Sequence, residues 1–317
     1  MIRWLVVGAG GVGRAHVAAI RRVAGATLAG IVTVDPIGDP GVPVFANLTD
    51  ALAALRPDVA VIATPHDTHL SLGLQAIDAG VPVLFEKPVG RSTDDAERLV
   101  ERARATGTPA GVVLNQRACR HPAWISARVR AGELRIRSVA FSGALAQLRG
   151  WHADPVRAGG GLLRTIGVHF IDLLRWWLGE PRALAAMLCG TPADDRVVVA
   201  LEFADGVLGS LQLTATAARS LGPVRAIIEA DGARLELAGH AIVQAEGLAA
   251  PPALELPDAA LPFGPGHLEV IRAATVALAA AQPFPVPLDE LLPTLRLVDR
   301  LQAAAARDRE VPLHRER

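Results

Sequence analysis

Lys87 is the only lysine in the 317-residue chain, in which the other 31 basic residues are arginines. It follows Glu86 at the end of the apolar run Val83-Leu84-Phe85 and precedes Pro88. Arginine stays protonated at any working pH, whereas burial can lower the pKa of a lysine amine until it exchanges protons. The presence of this one amine at the end of a predicted strand indicates a proton-transfer residue.

A glycine-rich turn provides a candidate anion site. The apolar run Trp4-Leu5-Val6-Val7 leads into Gly8-Ala9-Gly10-Gly11-Val12-Gly13, a G-x-G-x-x-G pattern, and then into a helical stretch. In this context the first glycine allows the turn, the second lets the backbone approach a pyrophosphate, and the third lets the helix pack on the strand. The predicted cofactor-binding residues of the turn are Gly8, Gly10, Gly11, Val12 and Gly13. The alternative is a glycine turn that binds no nucleotide.

The residue that would bind the cofactor ribose is ambiguous. In dinucleotide sites an acidic residue about 20 positions further on binds the 2′-hydroxyl of NAD. Thr33 occupies that position and Asp35 follows two residues later. We therefore expect NAD or NADP, with Asp35 favouring NAD.

A second candidate element is the predicted helix from Gly161 to Leu178. Thr165, His169 and Asp172 are spaced by four and three residues, so on an α-helix they share one face. Imidazole titrates near neutral pH and suits proton exchange. A histidine on an apolar helix is more often a core residue, which remains the alternative for His169.

The first 115 or so residues alternate short apolar runs with amphipathic stretches, which predicts parallel strands joined by helices. Ser92 with Asp95, and Gly107, predict the start and end of one such helix. Open sheets of this kind bind ligands at the carboxyl ends of their strands, where both the glycine turn and Lys87 fall. The predicted strands are Arg3–Val7, Thr27–Val32, Val59–Ala63, Val81–Phe85 and Pro109–Leu114.

From about Cys119 the pattern changes to a helix near Pro122–Ala131 followed mainly by strands. Asp205-Gly206 and Asp231-Gly232 lie between alternating runs and predict hairpins. We expect domains at 1–118 and 119–317, the second an α+β fold with a largely antiparallel open sheet. A proline-rich connector at Pro251–Pro265 and helices at His267–Ala280 and Leu288–Ala306 complete it, and the last helix is a candidate to pack back on the first domain.

Composition excludes several classes of protein. A hydrophobic content of 51% with 20% charged residues indicates a folded protein. Zero net charge argues against nucleic-acid binding. The longest apolar run, Trp4–Gly13, is far shorter than the roughly 20 residues of a membrane span and lacks a signal-peptide cleavage site, so we expect a cytoplasmic protein.

Side-chain types narrow the chemistry further. The absence of tyrosine excludes the Tyr-x-x-x-Lys dehydrogenases. Cys119 and Cys189 form no C-x-x-C pair, and His66 with His69 has no third ligand at sensible spacing. We therefore expect neither a disulfide framework nor a metal.

Several motifs in order along the chain resemble the glucose-fructose oxidoreductase, inositol dehydrogenase and rhizopine catabolism (Gfo/Idh/MocA) family of NAD(P)-dependent oxidoreductases. Together they span more than half of the chain, and their combination is specific although no single one is. The matching motifs are Gly8 to Gly13, Thr64-Pro65 with His69, Glu86-Lys87-Pro88, Gly159-Gly160-Gly161 through Gly167-x-His169-x-x-Asp172, Trp177 and Gly179.

The resemblance implies a Rossmann domain followed by an α+β domain whose open sheet often forms a homodimer or homotetramer interface. It implies hydride exchange between nicotinamide and a carbinol or carbonyl carbon of a sugar, cyclitol or sugar derivative. By this resemblance Lys87 is the principal proton-transfer group and His169 is its partner. In the family the peptide bond between this lysine and the following proline is sometimes cis. Thr165 stands where the family usually has an aspartate, and we include it in the catalytic set. The resemblance also places Thr64, Pro65, His69, Glu86 and Lys87 near the cofactor.

Other side chains are weaker candidates for substrate binding. They are Asn115, Arg117, Trp151, His152, Arg164 and Asp172. Each has a structural alternative, such as a hinge contact for Asn115 and Arg117, or a salt bridge for Arg164. Two alternative functions also remain: a reductase of unsaturated or imine substrates, and a non-catalytic regulator that binds a dinucleotide.

Overall fold

The computed structural model describes residues 1–253 and 264–308, which form two compact units. The first unit consists of the described residues of Met1–Cys119 and Glu255–Leu292, and the second of those of Arg120–Leu254 and Pro293–Arg317. The predicted domains are 1–118 and 119–317, with the last helix as a candidate to pack back on the first. The described residues of Glu255–Leu292 instead belong with the first unit, whereas those of Pro293–Arg317, which form the last helix, belong with the second.

A six-stranded parallel sheet forms the centre of the first unit, in the order β3-β2-β1-β4-β5-β6. Its strands are β1 (Ile2–Val7), β2 (Ala26–Val32), β3 (Val44–Phe45), β4 (Val59–Ile62), β5 (Val83–Glu86) and β6 (Ala110–Val113). The predicted Rossmann-type sheet is confirmed, and all five predicted strands lie within two residues of their observed bounds. The two-residue strand β3 was not predicted.

Helices connect or cover these strands. They are α1 (Gly11–Ile20), α2 (Leu48–Leu55), α3 (His69–Asp78), α4 (Thr93–Thr106), α5 (Asn115–Ala118) and, from the later segment, α9 (Gly266–Ala279). The predicted ends of α4 are confirmed. The Ser92 side chain accepts a hydrogen bond from the amide of Asp95, and Gly107 ends the helix with a positive φ of 69°.

Packing explains why α9 belongs to the first unit. Leu268, Ile271 and Ala274 of this helix are buried in the same core as Trp4. The Trp4 indole Nε1 donates a hydrogen bond to Thr275 Oγ1 at 3.2 Å. Sequence periodicity predicts the helix itself, but it does not indicate which sheet the helix covers.

A seven-stranded sheet forms the second unit, in the order β13-β12-β11-β7-β10-β9-β8. All neighbouring strands are antiparallel except β7 and β10, so the predicted largely antiparallel sheet is confirmed. Its strands are β7 (Ile136–Ala146), β8 (Ala183–Cys189), β9 (Arg196–Glu202), β10 (Leu208–Ala217), β11 (Arg225–Ala230), β12 (Ala233–Ala238) and β13 (Ala241–Glu246). The two predicted hairpins join β9 to β10 and β11 to β12.

Four helices accompany this sheet: α6 (Arg120–Arg130), α7 (Pro155–Ala158), α8 (Val168–Leu178) and α10 (Leu292–Asp308). The apolar face of α8 packs on β7 and β10, and the Trp177 indole donates to the Pro122 carbonyl at 3.2 Å. The predicted connector Pro251–Pro265 lies mostly outside the described residues. Within 1–253 and 264–308, the helices are all too short or too polar to cross a bilayer.

Candidate active site

The glycine turn between β1 and α1 has the geometry that its sequence predicts. Gly8 has a φ of +105°, and a Cβ atom there would lie 2.5 Å from the Ala63 carbonyl oxygen. A Cβ at Gly13 would overlap the backbone of Gly8. By contrast, a Cβ at Gly10 would have no described atom within 4 Å. The first and third glycines therefore allow the turn to close, and the second leaves open space.

This open space lies at the amino end of α1. Gly10 occupies the N-cap position and provides no side-chain cap, while the first amides of a helix have no acceptor within it. Exposed amides and the helix dipole favour an anion there. The turn therefore fits the pyrophosphate of a dinucleotide.

The two candidate ribose residues lie in the turn after β2. The Thr33 hydroxyl oxygen accepts a hydrogen bond from the amide of Asp35 at 3.1 Å, so Thr33 shapes this turn. Asp35 is exposed. Its carboxylate is the more suitable of the two to accept a hydrogen bond from a ribose hydroxyl, and this role stays a prediction.

Thr64 and Pro65 follow β4 at the same sheet edge and lead into a single 3-10 turn, His66–Thr68, before α3. The Thr68 hydroxyl donates to Thr64 Oγ1 at 2.6 Å, and His69 Nε2 lies 2.9 Å from the Thr64 carbonyl oxygen. Burial lowers the pKa of His69. A neutral His69 that donates to this carbonyl fixes the start of the segment.

Lys87 directly follows β5 at this carboxyl edge. It is half-buried, and its peptide bond to Pro88 is cis. Burial lowers the pKa of the Lys87 amine, and the negative charge of Glu86 opposes that shift. The predicted amine is thus present at the same sheet edge as the glycine turn, with its pKa displaced in the direction that proton transfer requires.

Glu86 belongs to a buried cluster that was not predicted from the sequence. His16 of α1 places Nε2 2.7 Å from Glu86 Oε1, and His267 of α9 places Nε2 3.2 Å from the same oxygen. Burial opposes ionisation of Glu86, but these two hydrogen bonds outweigh it and hold its pKa well below the usual range. Helical periodicity could have flagged His16 as a polar residue on a buried face, whereas nothing local marks His267.

The ligand-type atoms of these three side chains lie within 4.8 Å of one another, a spacing that a metal ion could also use. However, both imidazole Nε2 atoms are already at hydrogen-bond distance from one ionised carboxylate oxygen. An internal His-Glu-His hydrogen-bonded cluster accounts for this arrangement.

Asn115 and Arg117 lie in α5, just after β6. Asn115 is buried, and its Oδ1 has no hydrogen-bond donor among the described residues. Arg117 forms an ion pair with Glu290 at 2.9 Å, and its side chain is only 10% exposed. Arg117 therefore ties α5 to the segment before α10, and the substrate roles of both residues stay predictions.

In the second unit, the glycine run Gly159-Gly160-Gly161 leads into a π-helical turn, Leu163–Gly167, before α8 begins. Asp194 fixes this start, because its carboxylate accepts from the Leu163 amide at 2.8 Å and its carbonyl from the Leu162 amide at 2.7 Å. The predicted uninterrupted α-helix from Gly161 is therefore wrong. A π turn uses i→i+5 hydrogen bonds, so the 3.6-residue period does not hold through it.

The π turn changes the expected relation between Thr165 and His169. The Thr165 side chain is buried and its hydroxyl donates to the Gly161 carbonyl at 2.9 Å. His169 is half-buried at the second position of α8. The α-helical period behind the face predicted for Thr165, His169 and Asp172 therefore does not extend to Thr165. The catalytic roles of Thr165 and His169 and the substrate-binding role of Asp172 stay predictions.

Two charged candidates in this region have partners inside the second unit. Arg164 is buried and forms an ion pair with Asp299 of α10. Asp172 is buried and accepts a hydrogen bond from Thr294 Oγ1 at 3.1 Å. Both contacts fasten the α8 region to α10, which favours the structural alternative for each residue.

Trp151 and His152 lie in the 3-10 turn Gly150–Ala153. Their rings stack on each other with centroids 3.7 Å apart, and His152 is exposed. The substrate-binding role of this pair stays a prediction.

Comparison with known protein families identifies the family of this chain. Residues 2–113 match the GFO_IDH_MocA model, an oxidoreductase family with an NAD-binding Rossmann fold, and residues 126–249 match a C-terminal domain model of the same family. The chain belongs to the Gfo/Idh/MocA family. The resemblance inferred from the motifs is thereby confirmed.

Curated relatives include inositol 2-dehydrogenase of Corynebacterium glutamicum strain R, 28% identical over 231 residues, which are 66% of this chain and 65% of that protein. Levoglucosan dehydrogenase of Pseudarthrobacter phenanthrenivorans is 29% identical over 201 residues, 51% of this chain and 50% of that protein. The matches thus span between half and two thirds of these relatives' lengths.

Among solved structures, WlbA dehydrogenase of Bordetella pertussis, in complex with NADH and UDP-GlcNAcA, superposes with a TM-score of 0.83 at 23% identity, covering 99% of this chain and 98% of that one. This similarity shows the shared fold.

Proposed function

We propose that this Gfo/Idh/MocA chain is an NAD(P)-dependent oxidoreductase that interconverts a CH–OH group and a carbonyl on a sugar, cyclitol or sugar derivative. The observation that carries the proposal is the position of the only lysine, at the carboxyl edge of β5, on the same edge as an open glycine turn. The named activities of the inositol and levoglucosan dehydrogenases support the substrate class.

When bound, NAD(P) supplies the acceptor or donor of the hydride. The glycine turn would hold its pyrophosphate and Asp35 its ribose, with Thr64, Pro65 and Glu86-Lys87 lining the same edge. His69, which was also predicted to lie near the cofactor, holds Thr64 in place through the contact between its Nε2 atom and the Thr64 carbonyl oxygen.

Lys87 moves the proton. Oxidation of a carbinol requires its hydroxyl to lose a proton, and the neutral Lys87 amine accepts it; in the reverse direction the ammonium returns it. Because burial lowers the Lys87 pKa, the neutral amine is populated at lower pH than in an ordinary lysine. We expect the rate of oxidation to rise with pH through this pKa and the rate of reduction to fall. His169 is the proposed second proton-exchange group.

The test begins with fluorescence titrations of the protein with NADH and, separately, NADPH. We expect saturable binding, tighter for NADH, and a loss of that preference in Asp35→Asn. A screen of cyclitols, sugars and nucleotide sugars then identifies the substrate. Absence of binding at millimolar cofactor would reject the oxidoreductase, while binding without any turnover would favour a dinucleotide-binding regulator.

We also propose that the chain forms a homo-oligomer through the outer face of its seven-stranded sheet. Met187 and Val198 are paired across β8 and β9 on that face and are 67% and 47% exposed. Light scattering after size-exclusion chromatography tests this, with Met187→Glu/Val198→Glu expected to give monomers. The cytoplasmic location stays a prediction.

A further inference from the structure

The buried cluster of His16, Glu86 and His267 joins three elements that are distant in sequence. His16 is fully buried on α1, the helix that begins at the glycine turn, and His267 is 5% exposed at the start of α9. Their rings meet edge to face with centroids 5.1 Å apart. Glu86, 7% exposed, lies between them and is bonded through the backbone to Lys87.

The hydrogen-bond pattern stabilises the charge of the Glu86 carboxylate. Glu86 Oε1 lies within 3.2 Å of both Nε2 atoms, so an ionised carboxylate accepts from two imidazole N–H groups. Burial lowers the pKa of His16, so this ring is neutral and uses Nε2–H as its donor. The two hydrogen bonds therefore stabilise the ionised Glu86 carboxylate in a buried position that would otherwise disfavour its charge.

We propose that His16 and His267 are positioning residues that keep the Glu86 carboxylate ionised and fixed, and that this charge sets the protonation of Lys87. The inference rests on the proposed function, because it assigns to the two histidines the control of the proposed proton-transfer group. The charged and titratable groups that face this centre are His16 from α1, His69 from α3, His267 from α9 and the Glu86–Lys87 pair itself.

Two opposing effects on the pKa of Lys87 explain why control by Glu86 is useful. Burial lowers the Lys87 pKa, and the Glu86 charge limits that decrease. Without the charge, the amine would lose its proton at lower pH and could no longer act as a proton donor near neutrality. The histidines act one step further away, since they determine whether Glu86 is charged.

The presence of a single lysine permits a direct measurement that does not depend on turnover. Incorporation of lysine labelled with 13C at Cε gives one side-chain resonance, and its chemical shift against pH reports the Lys87 titration. We expect Glu86→Gln to move the titration midpoint to lower pH. His16→Leu and His267→Leu should move it in the same direction by less, and His16→Gln, which retains an N–H donor, should stay closest to the wild type.

His121→Leu is the matched control for the two leucine variants. His121 is a buried histidine of the second unit that accepts from the Ile242 amide and lies 2.9 Å from the Pro252 carbonyl oxygen. Its replacement removes a comparable pair of contacts, and the Lys87 titration should remain unchanged. Circular dichroism verifies the fold of each variant, and Glu86→Gln, nearly isosteric, keeps the test valid if the leucine variants do not fold.

Two results would overturn the proposal. One is an unchanged Lys87 midpoint in folded Glu86→Gln or in both folded leucine variants. The other is one equivalent of bound metal in the purified protein by elemental analysis, lost in Glu86→Gln, which would make the cluster a metal site. A failure of the proposed function would give a different result. The midpoint of the Lys87 titration would still shift in the variants as expected, but Lys87→Ala would retain turnover.

Discussion

The carboxyl edge of the parallel sheet and the segment that leads into α8 both carry a predicted proton-transfer side chain, but they are built differently. At the sheet edge, Lys87 follows a strand whose end is fixed by neighbouring strands on both sides. Before α8, the backbone follows a π turn, and Thr165 and Arg164 use their polar groups within the second unit. A strand end in a parallel sheet can be located from the sequence, whereas the face that a helix start presents depends on local hydrogen bonding.

The strongest test of this contrast compares Lys87 with His169. We expect Lys87→Ala to lower turnover by about 10²- to 10⁴-fold while cofactor affinity is retained, because the proton acceptor is lost. His169→Asn should reduce turnover less, as the partner group. Steady-state kinetics and cofactor titration measure both effects.

Lys87→Arg provides the control, since it keeps a positive charge that cannot be released at working pH. It should be as inactive as Lys87→Ala. Equal activity of Lys87→Ala and wild type, or a larger loss in His169→Asn than in Lys87→Ala, would reverse the assignment of the principal group.

A second test concerns the glycine turn of the sheet edge. Gly13→Ala places a methyl group against the Gly8 backbone and should destabilise the chain by roughly 1–3 kcal/mol, as overpacking does. Gly10→Ala meets no described atom, so its stability should match wild type while dinucleotide affinity falls. Urea unfolding and cofactor titration separate the two effects, and equal stability of both variants would show that the turn is not tightly closed.

The third test addresses the buried ion pair before α8. Asp299→Ala leaves the Arg164 guanidinium buried without its carboxylate, and we expect a loss of about 1–3 kcal/mol in the free energy of unfolding. Arg164→Met should cost less, since the half-exposed Asp299 can be solvated. Unchanged stability together with a raised KM for an anionic substrate would return Arg164 to the predicted substrate-binding set.

The smallest expected effect is at Thr165. Thr165→Val removes the donor to the Gly161 carbonyl and should lower the free energy of unfolding by about 1 kcal/mol. Thr165→Ser keeps the hydroxyl and serves as the comparison. If Thr165→Val instead loses turnover at unchanged stability, the hydroxyl takes part in the reaction, as its place in the predicted catalytic set implies.

These two regions also show what the sequence could predict. Parallel strands, the α4 caps and the turn glycines follow from local pattern. Short apolar runs, a serine at an N-cap such as Ser92 and positive φ angles at glycines are all short-range properties. The apolar run Val83-Leu84-Phe85 placed Lys87 correctly at a strand end.

Long-range contacts account for what was missed. His267 reaches Glu86 and α9 joins the first unit through tertiary packing that no local period encodes. The π turn depends on Asp194, about thirty residues away, whose carboxylate takes the place of a local cap. Such features require the structure, since each is defined by two segments that the sequence presents separately.

The late position of α9 has a consequence for how the protein is made. The first 119 residues leave the ribosome long before the helix that covers β1. Thr275, which accepts the hydrogen bond of the Trp4 indole, is synthesised 271 residues after Trp4. At roughly 5 to 20 residues per second, translation of the intervening chain takes on the order of ten seconds or more. During that time the nascent first unit exposes an apolar surface, so we expect its folding to be completed only near the end of synthesis and to benefit from chaperones that shield such surfaces.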